Sequence, residues 1–332
     1  MAVTLSKEAA PGPTASARPA AGAGILYAVA GAALFSGKAI VIKLAYRDYV
    51  VDAATLIALR MAFAVPLFAI ALWWVGRRAP PLRAGDHARL VAIGLVGYYA
   101  ASYLDFLGLR FISAGLERLV LYMTPTLVLL MTLVVLRRRV HRAEATALLV
   151  SYGGIALVVW HDVALTGPGV PLGVGLVFLS ALCYAAYLVA AGEMVRRVGA
   201  IRLTSYAMCV STAACLVQFI ALKPLSSLAL PAGLYALSAF NGVACTVLPV
   251  FATMLAVERI GAGRAALAAN VGPVATIVFG YLLLGEPISA WQVAGTALVL
   301  FGVFMLTRAT PREPLAAVRD ERPTTQPVEV PR

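Results

Sequence analysis

The stretch AATLIALRMAFAVPLFAIALWWV, residues 53–75, carries one charged side chain, Arg60, in an otherwise apolar run. A helix needs about 20 mostly apolar residues to cross the roughly 30 Å hydrocarbon core of a bilayer. The stretch therefore predicts a membrane-spanning helix, and nine others meet the same criterion. They are 24–45, 88–108, 112–136, 143–160, 172–194, 203–222, 232–256, 260–284 and 288–307. The predicted fold class is an all-α integral membrane protein with ten transmembrane helices.

The composition of the whole chain argues against a soluble globular protein. Hydrophobic residues make up 61% and charged residues 13% of the 332 residues, and the mean hydropathy is +0.89. A soluble domain has about 25% charged residues and about 45–50% apolar ones. Because a globule of this size cannot hide so much apolar surface, the lipid bilayer is the predicted surroundings of the chain.

The formal net charge of +12 does not predict a nucleic-acid partner. Most Lys and Arg residues lie in short loops and in the two tails, where the positive-inside rule places them. With both termini cytoplasmic, the inner segments hold 20 Lys and Arg residues and the outer segments hold 4, so this orientation is the predicted one. The outer four are Arg47, Arg110, Arg118 and Lys223. Residues 1–23 and 308–332 are predicted to be disordered tails, because their composition is biased and rich in Pro.

Two halves of the chain resemble each other at an offset of 148 residues. The offset superimposes Pro125 on Pro273 and matches several Ile, Ala, Gly and Leu residues in the same stretches. It defines one five-helix unit at 24–160 and a second at 172–307. Because five is odd, the second unit enters the membrane from the opposite side, which predicts an inverted repeat. Inverted repeats are typical of secondary transporters, and a duplication within a membrane-embedded enzyme or an assembly scaffold is the alternative.

Two basic side chains lie well inside predicted helices. Lys38 is near the middle of the first apolar stretch, and Arg60 is about a third of the way along the second. A charged side chain within a span costs about 2.5–3.5 kcal/mol, so it usually faces a cavity or a partner. Each is therefore a candidate for binding an anionic group of a substrate, and a structural contact with a neighbouring helix is the alternative.

Further candidates are polar or aromatic residues in the apolar stretches. Those that we predict to line a substrate cavity are Tyr99, Tyr103, Tyr122, Tyr184, Asn241 and Asn270. An aromatic-lined cavity with few polar groups suits a partly apolar solute such as an amino acid, and contacts between helices are the alternative use of such residues. Pro125 and Pro273 are predicted to kink their helices, because a proline removes one backbone donor.

No motif for a cofactor, a metal or a catalytic triad is evident, so the sequence does not predict an enzyme. A P-loop is absent, which excludes ATP as the predicted direct energy source. Proton coupling would require a carboxylate in the cavity. Asp105 and Glu117 are the candidates near the spans of the first half, and both are predicted to lie toward the outer face. Exchange or facilitated transport is therefore favoured over proton coupling.

Residues 258–306 read ERIGAGRAALAANVGPVATIVFGYLLLGEPISAWQVAGTALVLFGVFML. This segment resembles the C-terminal signature of the EamA-type transporters of the drug/metabolite transporter superfamily. The matching features are Gly261 and Ala262 at the start, Pro273 in mid-span, the LLLGEP turn at Glu286, and Gly295 and Gly302 in the last helix. The stretch SAGLERLVLYMTPTLVLLMTLVVL, residues 113–136, looks like the matching half, although Arg137 and Arg138 stand where the family often has a Gly-Glu turn.

The resemblance implies a ten-helix exporter of the bacterial inner membrane. Such a protein would move amino acids, metabolites or drugs through a central cavity between its repeats, by facilitated or proton-coupled exchange. It would have no cofactor, and its substrate and oligomeric state are not predicted, because members of one fold family differ widely in function. Glu286 is interpreted as a structural cap of its own turn.

Overall fold

The computed structural model describes residues 17–77, 79–135, 142–166, 168–260, 265, 268 and 271–309. Within these ranges the regular secondary structure is helical throughout. The α-helices are α1 Ala17–Asp48, α2 Ala53–Gly76, α3 Ala84–Gly94, α4 Ala101–Gly108, α5 Ala114–Leu121, α6 Thr124–Val135, α7 Arg142–Thr166, α8 Val170–Val198, α9 Ala200–Leu222, α10 Ala232–Gly242, α11 Leu248–Ile260, α12 Val271–Phe279 and α13 Ala290–Ala309. Of three π-helical turns, Leu95–Ala100 joins α3 to α4, Val243–Val247 joins α10 to α11, and Gly280–Leu284 continues α12.

Within the described ranges, eight helical segments are long and apolar enough to cross a membrane. They are Gly22–Asp48, Ala53–Gly76, Gly85–Gly108, Ala114–Met131, Ala145–Asp162, Val170–Gly192, Ala200–Leu222 and Ala232–Ala256. Two shorter apolar helices, Val271–Leu284 and Ala290–Met305, lie in the ninth and tenth predicted stretches. The prediction of an all-helical, multi-pass membrane protein is therefore confirmed.

Some helix boundaries differ from the limits of the apolar runs. The first helix begins at Ala17, so residues 17–23, predicted to belong to a disordered tail, are helical. This segment is rich in Ala, which has the highest helix propensity, and Pro19 is tolerated because it lies in the first turn. The helix α8 extends to Val198, beyond the end of the predicted stretch 172–194. It ends before Gly199, whose φ of 83° cannot continue a helix.

The fourth predicted stretch forms two helices rather than one. Tyr122 and Met123 form a turn between the end of α5 and the start of α6. Pro125 follows in the first turn of α6, where a proline costs no helical hydrogen bond. The interruption therefore lies just before the proline. The second proline, Pro273, lies in α12, whose described part begins at Val271.

Helices from the two halves of the chain pack against each other in matched pairs. The first helix, α1, packs along α11, and α8 packs along α4. In addition, α2 packs along α9, and α7 packs along α13. The last contact is close, since a Cβ atom at Gly154 would lie 2.8 Å from the carbonyl oxygen of Gly295, and one at Gly302 would lie 2.7 Å from that of Ala147. Small residues allow the backbones of membrane helices to approach in this way.

Candidate functional site

The side chain of Lys38 lies between two carboxylates from other helices. Its Nζ atom donates a hydrogen bond to Oδ2 of Asp105 at 2.6 Å, and it lies 3.3 Å from Oε1 of Glu117. Lys38 comes from the middle of α1, Asp105 from α4 and Glu117 from α5. All three are buried, with 7%, 2% and 1% of their surface exposed. The site is therefore built where these three helices meet.

A fourth charge, Arg118, follows Glu117 on α5 and is also buried. Its guanidinium carbon lies 5.1 Å from the centroid of the Phe35 ring, and Lys38 Nζ lies 5.4 Å from the same centroid. We call the set of Lys38, Asp105, Glu117 and Arg118 the charge cluster. It holds two positive and two negative formal charges. Removing ions from water costs a large desolvation free energy. Attraction between opposite charges in the cluster offsets part of this cost.

The charge cluster has hydrogen-bonding capacity that this conformation leaves unused. Oδ1 of Asp105 and both carboxylate oxygens of Glu117 accept no hydrogen bond of good geometry from the residues that the structure describes. The Lys38–Glu117 contact is thus an ion pair by distance but not an aligned hydrogen bond. A buried acceptor without a donor typically costs about 1–3 kcal/mol. Three such oxygens on neighbouring carboxylates indicate a place where an additional donor binds.

Polar groups of α1 near the cluster are hydrogen-bonded to the second half of the chain. The hydroxyl of Ser36 donates to the carbonyl of Gly272 in α12 at 2.9 Å. The amide of Asn241, in α10, donates to the carbonyl of Lys38 at 3.4 Å. Asn241, predicted to line a cavity, therefore lies directly behind the lysine. The second half of the chain contributes to the site mainly through such contacts to the backbone.

The side chain of Arg60, on α2, contacts residues of α4 close to Asp105. Its Nη2 atom donates to the hydroxyl of Ser102 at 3.1 Å, and its guanidinium carbon lies 4.9 Å from the centroid of the Phe106 ring. Arg60 and Asn241 also line one small cavity, which has room for about one water molecule. Two predicted site residues from different halves are thus brought together beside the charge cluster.

Two of the predicted tyrosines lie on the other side of the cluster. Tyr122 and Tyr184 are both within electrostatic reach of Arg118. The ring of Tyr184 stacks on that of Tyr187 with centroids 5.3 Å apart, and the Tyr187 hydroxyl lies 3.1 Å from the hydroxyl of Tyr98. Tyr184 keeps 36% of its surface exposed.

The other predicted residues are placed differently. Tyr99 and Tyr103 stack with centroids 6.4 Å apart, and both pack on the apolar core that includes Phe68 and Cys215. They belong to the side of the site that holds Arg60 rather than to the side of Arg118. Asn270 lies outside the described residues.

Three members of the charge cluster are absent from the site predicted from the sequence. Arg118 is assigned there to an outer segment, which is wrong, because its side chain is buried within a helix and is only 9% exposed. Asp105 and Glu117 are expected toward the outer face, which stays a prediction, and the structure adds that both are buried against Lys38. The sequence does contain a signal for these site residues, because all three are charged residues inside the apolar stretches 88–108 and 112–136.

Glu286 does more than cap its own turn. Its Oε1 atom accepts a hydrogen bond from the backbone N–H of Ala114 at 3.2 Å, at the start of α5. The ammonium of Lys43 lies 3.9 Å from the same oxygen and donates to the carbonyl of Ile112 at 3.0 Å. Burial raises the pKa of Glu286, and Lys43 and the N–H groups of α5 partly oppose this rise. Glu286 thereby fixes the start of the helix that carries Glu117 and Arg118.

Long apolar helices packed around buried, mutually paired charges are typical of multi-pass membrane transport proteins, in which such charges mark solute and ion pathways. The comparison with known families agrees with this class. The chain belongs to the EamA-like transporter family, whose model matches it twice, at residues 22–160 and 171–308. The resemblance seen in the sequence is thus confirmed.

Relatives and a solved structure extend this result. An uncharacterized transporter of Bacillus subtilis, YcbK, is 32% identical over 290 residues, which cover 85% of this chain and 91% of that protein. An uncharacterized transporter of Archaeoglobus fulgidus is 26% identical over 251 residues, which cover 76% of this chain and 87% of that one. One crystal structure aligns with a TM-score of 0.60 at 19% identity, covering 88% of this chain and 98% of the other, and so supports the fold alone.

Proposed function

We propose that this protein is a secondary transporter that exports a small amphipathic metabolite, such as an amino acid, by alternating access through a central cavity between two inverted repeats. The observation that carries the proposal is the charge cluster, in which buried carboxylate oxygens without donors lie where α1, α4 and α5 meet. Alternative uses of a duplicated membrane fold, as an enzyme or a scaffold, have less support, because the relatives are named as transporters.

The positions of the π-helical turns support the inverted repeat. The turns at Leu95 and at Val243 begin 148 residues apart, which is the offset read from the sequence. At this offset α1 corresponds to α8, and α4 corresponds to α11. The packing of α1 along α11 is therefore the counterpart of the packing of α8 along α4. A two-fold axis between the halves would produce both contacts.

The close glycine contacts between α7 and α13 support the same axis. Gly154 approaches Gly295, and Gly302 approaches Ala147. Because Gly154 corresponds to Gly302 and Ala147 to Gly295 at the offset of 148, the two contacts exchange under the proposed symmetry. Two similar halves related by such an axis can exchange conformations and so open the site to alternate sides.

The charges of the cluster break this symmetry. At the offset of 148, the positions of Lys38, Asp105 and Glu117 correspond to Ala186, Thr253 and Ala265, none of which is charged. The ionic part of the site therefore belongs to the first repeat alone. The second repeat contributes Asn241 and the aromatic side chain of Tyr184.

We also propose that transport is coupled to protons through Asp105 and Glu117. Both carboxyl groups lie within 3.3 Å of the Nζ atom of Lys38, so they are close neighbours, and a proton bound by one of them would reduce the repulsion between them. Burial of both carboxylates beside Lys38 supports this proposal, because an ionisable group inside the bundle can take part in a proton relay. A proton leaving the pair would free carboxylate oxygens for a substrate.

The charged and titratable groups that face this carboxyl pair come from several helices. They are Lys38 and Tyr46 on α1, Arg60 on α2 and Arg118 on α5. Tyr122 and Tyr184 are in turn neighbours of Arg118. Gly272, Ile277 and Gln292 of α12 and α13 lie against α5 and carry no charge. The protonation state of the pair thus depends chiefly on the nearby cations Lys38, Arg60 and Arg118.

We place the protein in the bacterial inner membrane with both termini in the cytoplasm. The support is the asymmetry of Lys and Arg between the two sets of loops. Fusing reporters that are active on one side of the membrane to the C-terminus tests this orientation. A C-terminal alkaline phosphatase that is active in the periplasm would contradict it.

Flux measurements on the purified protein in liposomes test the transport proposal. We expect saturable counterflow of a labelled amino acid from a panel of amphipathic metabolites, and an increase in net flux when a pH gradient is imposed. Glu117→Gln should abolish the response to the gradient. Asp48→Asn is the matched control, because Asp48 is an exposed carboxylate that pairs with Arg47 outside the site. Absence of saturable flux for every solute, together with a reaction product or a stable protein partner, would favour an enzyme or scaffold.

A further inference from the structure

The carboxylates of Asp105 and Glu117 have more acceptor capacity than the described residues fill, and they are the kind of group that binds an ammonium. An ammonium group has three N–H donors and no acceptor. Asp105 Oδ1 and the two carboxylate oxygens of Glu117 are three acceptors that receive no hydrogen bond from the described residues. Glu117 is 1% exposed, so these acceptors lie in the interior of the bundle.

The cluster already contains one ammonium group, which belongs to the protein itself. Lys38 Nζ lies 2.6 Å from one carboxylate and 3.3 Å from the other, and its side chain reaches them from α1. Its bond to Oδ2 of Asp105 is the one aligned hydrogen bond that these two carboxylates receive from the described residues. The ammonium of a solute that displaced the lysine would lie between the same two carboxylates.

We propose that Asp105 and Glu117 form a site for the ammonium group of an amine-bearing solute, and that Lys38 is a built-in competitor that fills the site when no solute is bound. The inference rests on the proposed transport function and names its substrate class as amines and amino acids rather than simple carboxylates. It reverses the role of Lys38 expected from the sequence, where the lysine anchors an anionic group.

The remaining surroundings fit the rest of such a solute. Phe35 presents its ring to Lys38 and to Arg118 at 5.4 Å and 5.1 Å, and an aromatic face attracts a cation. Tyr184 is a further aromatic neighbour of Arg118. Arg118 Nε has no acceptor within the described residues, so the carboxylate of an amino acid has a donor beside the ammonium site.

A competitor that is tethered to the protein lowers the apparent affinity for the solute. If the site is occupied by Lys38 most of the time, only the small fraction of molecules with a displaced lysine binds a solute. Replacing Lys38 with a side chain that lacks the ammonium removes this competition. The variant should therefore bind amines more tightly than the wild type, whereas an anion anchor would lose affinity on the same substitution.

Thermal shift measurements on the purified full chain test this with matched probes. The probes are 2-phenylethylamine and phenylacetate, together with butylamine and butyrate. Lys38→Met and the polar variant Lys38→Gln are each compared with the wild type, and Lys43→Met is the control, because Lys43 lies on the same helix but contacts Ile112 and Glu286 instead. We expect the Lys38 variants to bind at least one amine about tenfold more tightly, which corresponds to about 1.4 kcal/mol.

The probes phenylacetate and butyrate should stabilise none of these proteins. The single substitution Glu117→Gln should abolish the stabilisation that amines give the wild-type protein. Tighter binding of phenylacetate or butyrate by the wild type than by the Lys38 variants would overturn the proposal, and so would an unchanged amine affinity in both variants. The counterflow assay on wild-type protein distinguishes failure of the proposed ammonium site from failure of the proposed transport function. Flux of carboxylates that lack an amine refutes the ammonium site and leaves transport standing, whereas no flux of any solute refutes transport itself.

Discussion

The Nζ atom of Lys38 lies 2.6 Å from Oδ2 of Asp105, although the two residues are 67 positions apart in the chain. The pair joins α1 to α4 in the interior of the bundle. Removing one partner of a buried ion pair leaves an uncompensated charge, which typically costs about 3–5 kcal/mol, whereas replacing both partners by apolar residues is often neutral.

We therefore expect Asp105→Leu alone to be strongly destabilising and the double variant Lys38→Met with Asp105→Leu to recover most of the lost stability. Transport should remain abolished in the double variant, because one of the two carboxylates of the site is gone. Thermal unfolding in detergent measures the first effect, and flux in liposomes measures the second. A double variant that transports at the wild-type rate would show that the pair serves only the fold.

The close contact between α7 and α13 can be tested by an alanine substitution, with the adjacent glycine as the control. Gly154→Ala would place a Cβ atom 2.8 Å from the carbonyl oxygen of Gly295 and 2.8 Å from the Cβ atom of Leu298. Overpacking of this kind costs about 1–3 kcal/mol. At Gly153 no described atom lies within 4 Å of such a Cβ atom. Gly153→Ala should therefore be neutral or slightly stabilising, and thermal unfolding of both variants measures the difference.

Asp52 provides a pH-dependent contribution to stability at the start of α2. It accepts a hydrogen bond from the N–H of Thr55 at 3.0 Å and pairs with Lys223 at 2.9 Å. Burial alone would raise the pKa of Asp52, but the hydrogen bonds from Lys223 and Thr55 outweigh it and lower the pKa. A lowered pKa in the folded state stabilises the protein above the unfolded value of about 3.9.

The stabilisation by Asp52 should be lost as the pH falls through its lowered pKa. We expect Asp52→Ala to lower stability by about 0.5–2 kcal/mol near neutral pH through loss of the helix cap. The difference between wild type and variant should shrink below about pH 4, where the carboxyl takes up a proton. Melting temperatures measured across this range give the answer, and a difference that grows on acidification would contradict the assignment.

Glu286 should show the opposite pH dependence. Its pKa is raised chiefly by burial, so its ionised form is disfavoured in the folded state. The resulting stability is complete below the ordinary pKa of about 4.3 and declines as the pH rises through the raised value. Glu286→Gln keeps an acceptor for the N–H of Ala114 but does not titrate. We expect the advantage of the wild type over this variant to be largest in acid and to diminish toward neutral pH.

Some of this protein can be read from its sequence because the relevant property is local. A run of about 20 apolar residues is long enough to span a bilayer wherever it occurs, so the stretch 53–75 is identified as a helix without knowledge of its neighbours. The offset of 148 residues is likewise a property of the chain itself, and the turns at Leu95 and Val243 lie at that spacing. Lys38 and Arg60 stand out as candidates because a charge inside an apolar run is expensive.

The partners of these charges depend on how the helices rotate and pack, which no local pattern contains. That rotation turns Asp105 and Glu117 toward Lys38, and it buries Arg118 against Phe35. It also brings Glu286 to the start of α5, 172 positions away in the chain. The sequence thus determined the membrane class and the doubled pattern, because apolar length and spacing are local. Only the tertiary structure decided that the buried lysine has carboxylate partners, because ion pairs between helices depend on distances in space.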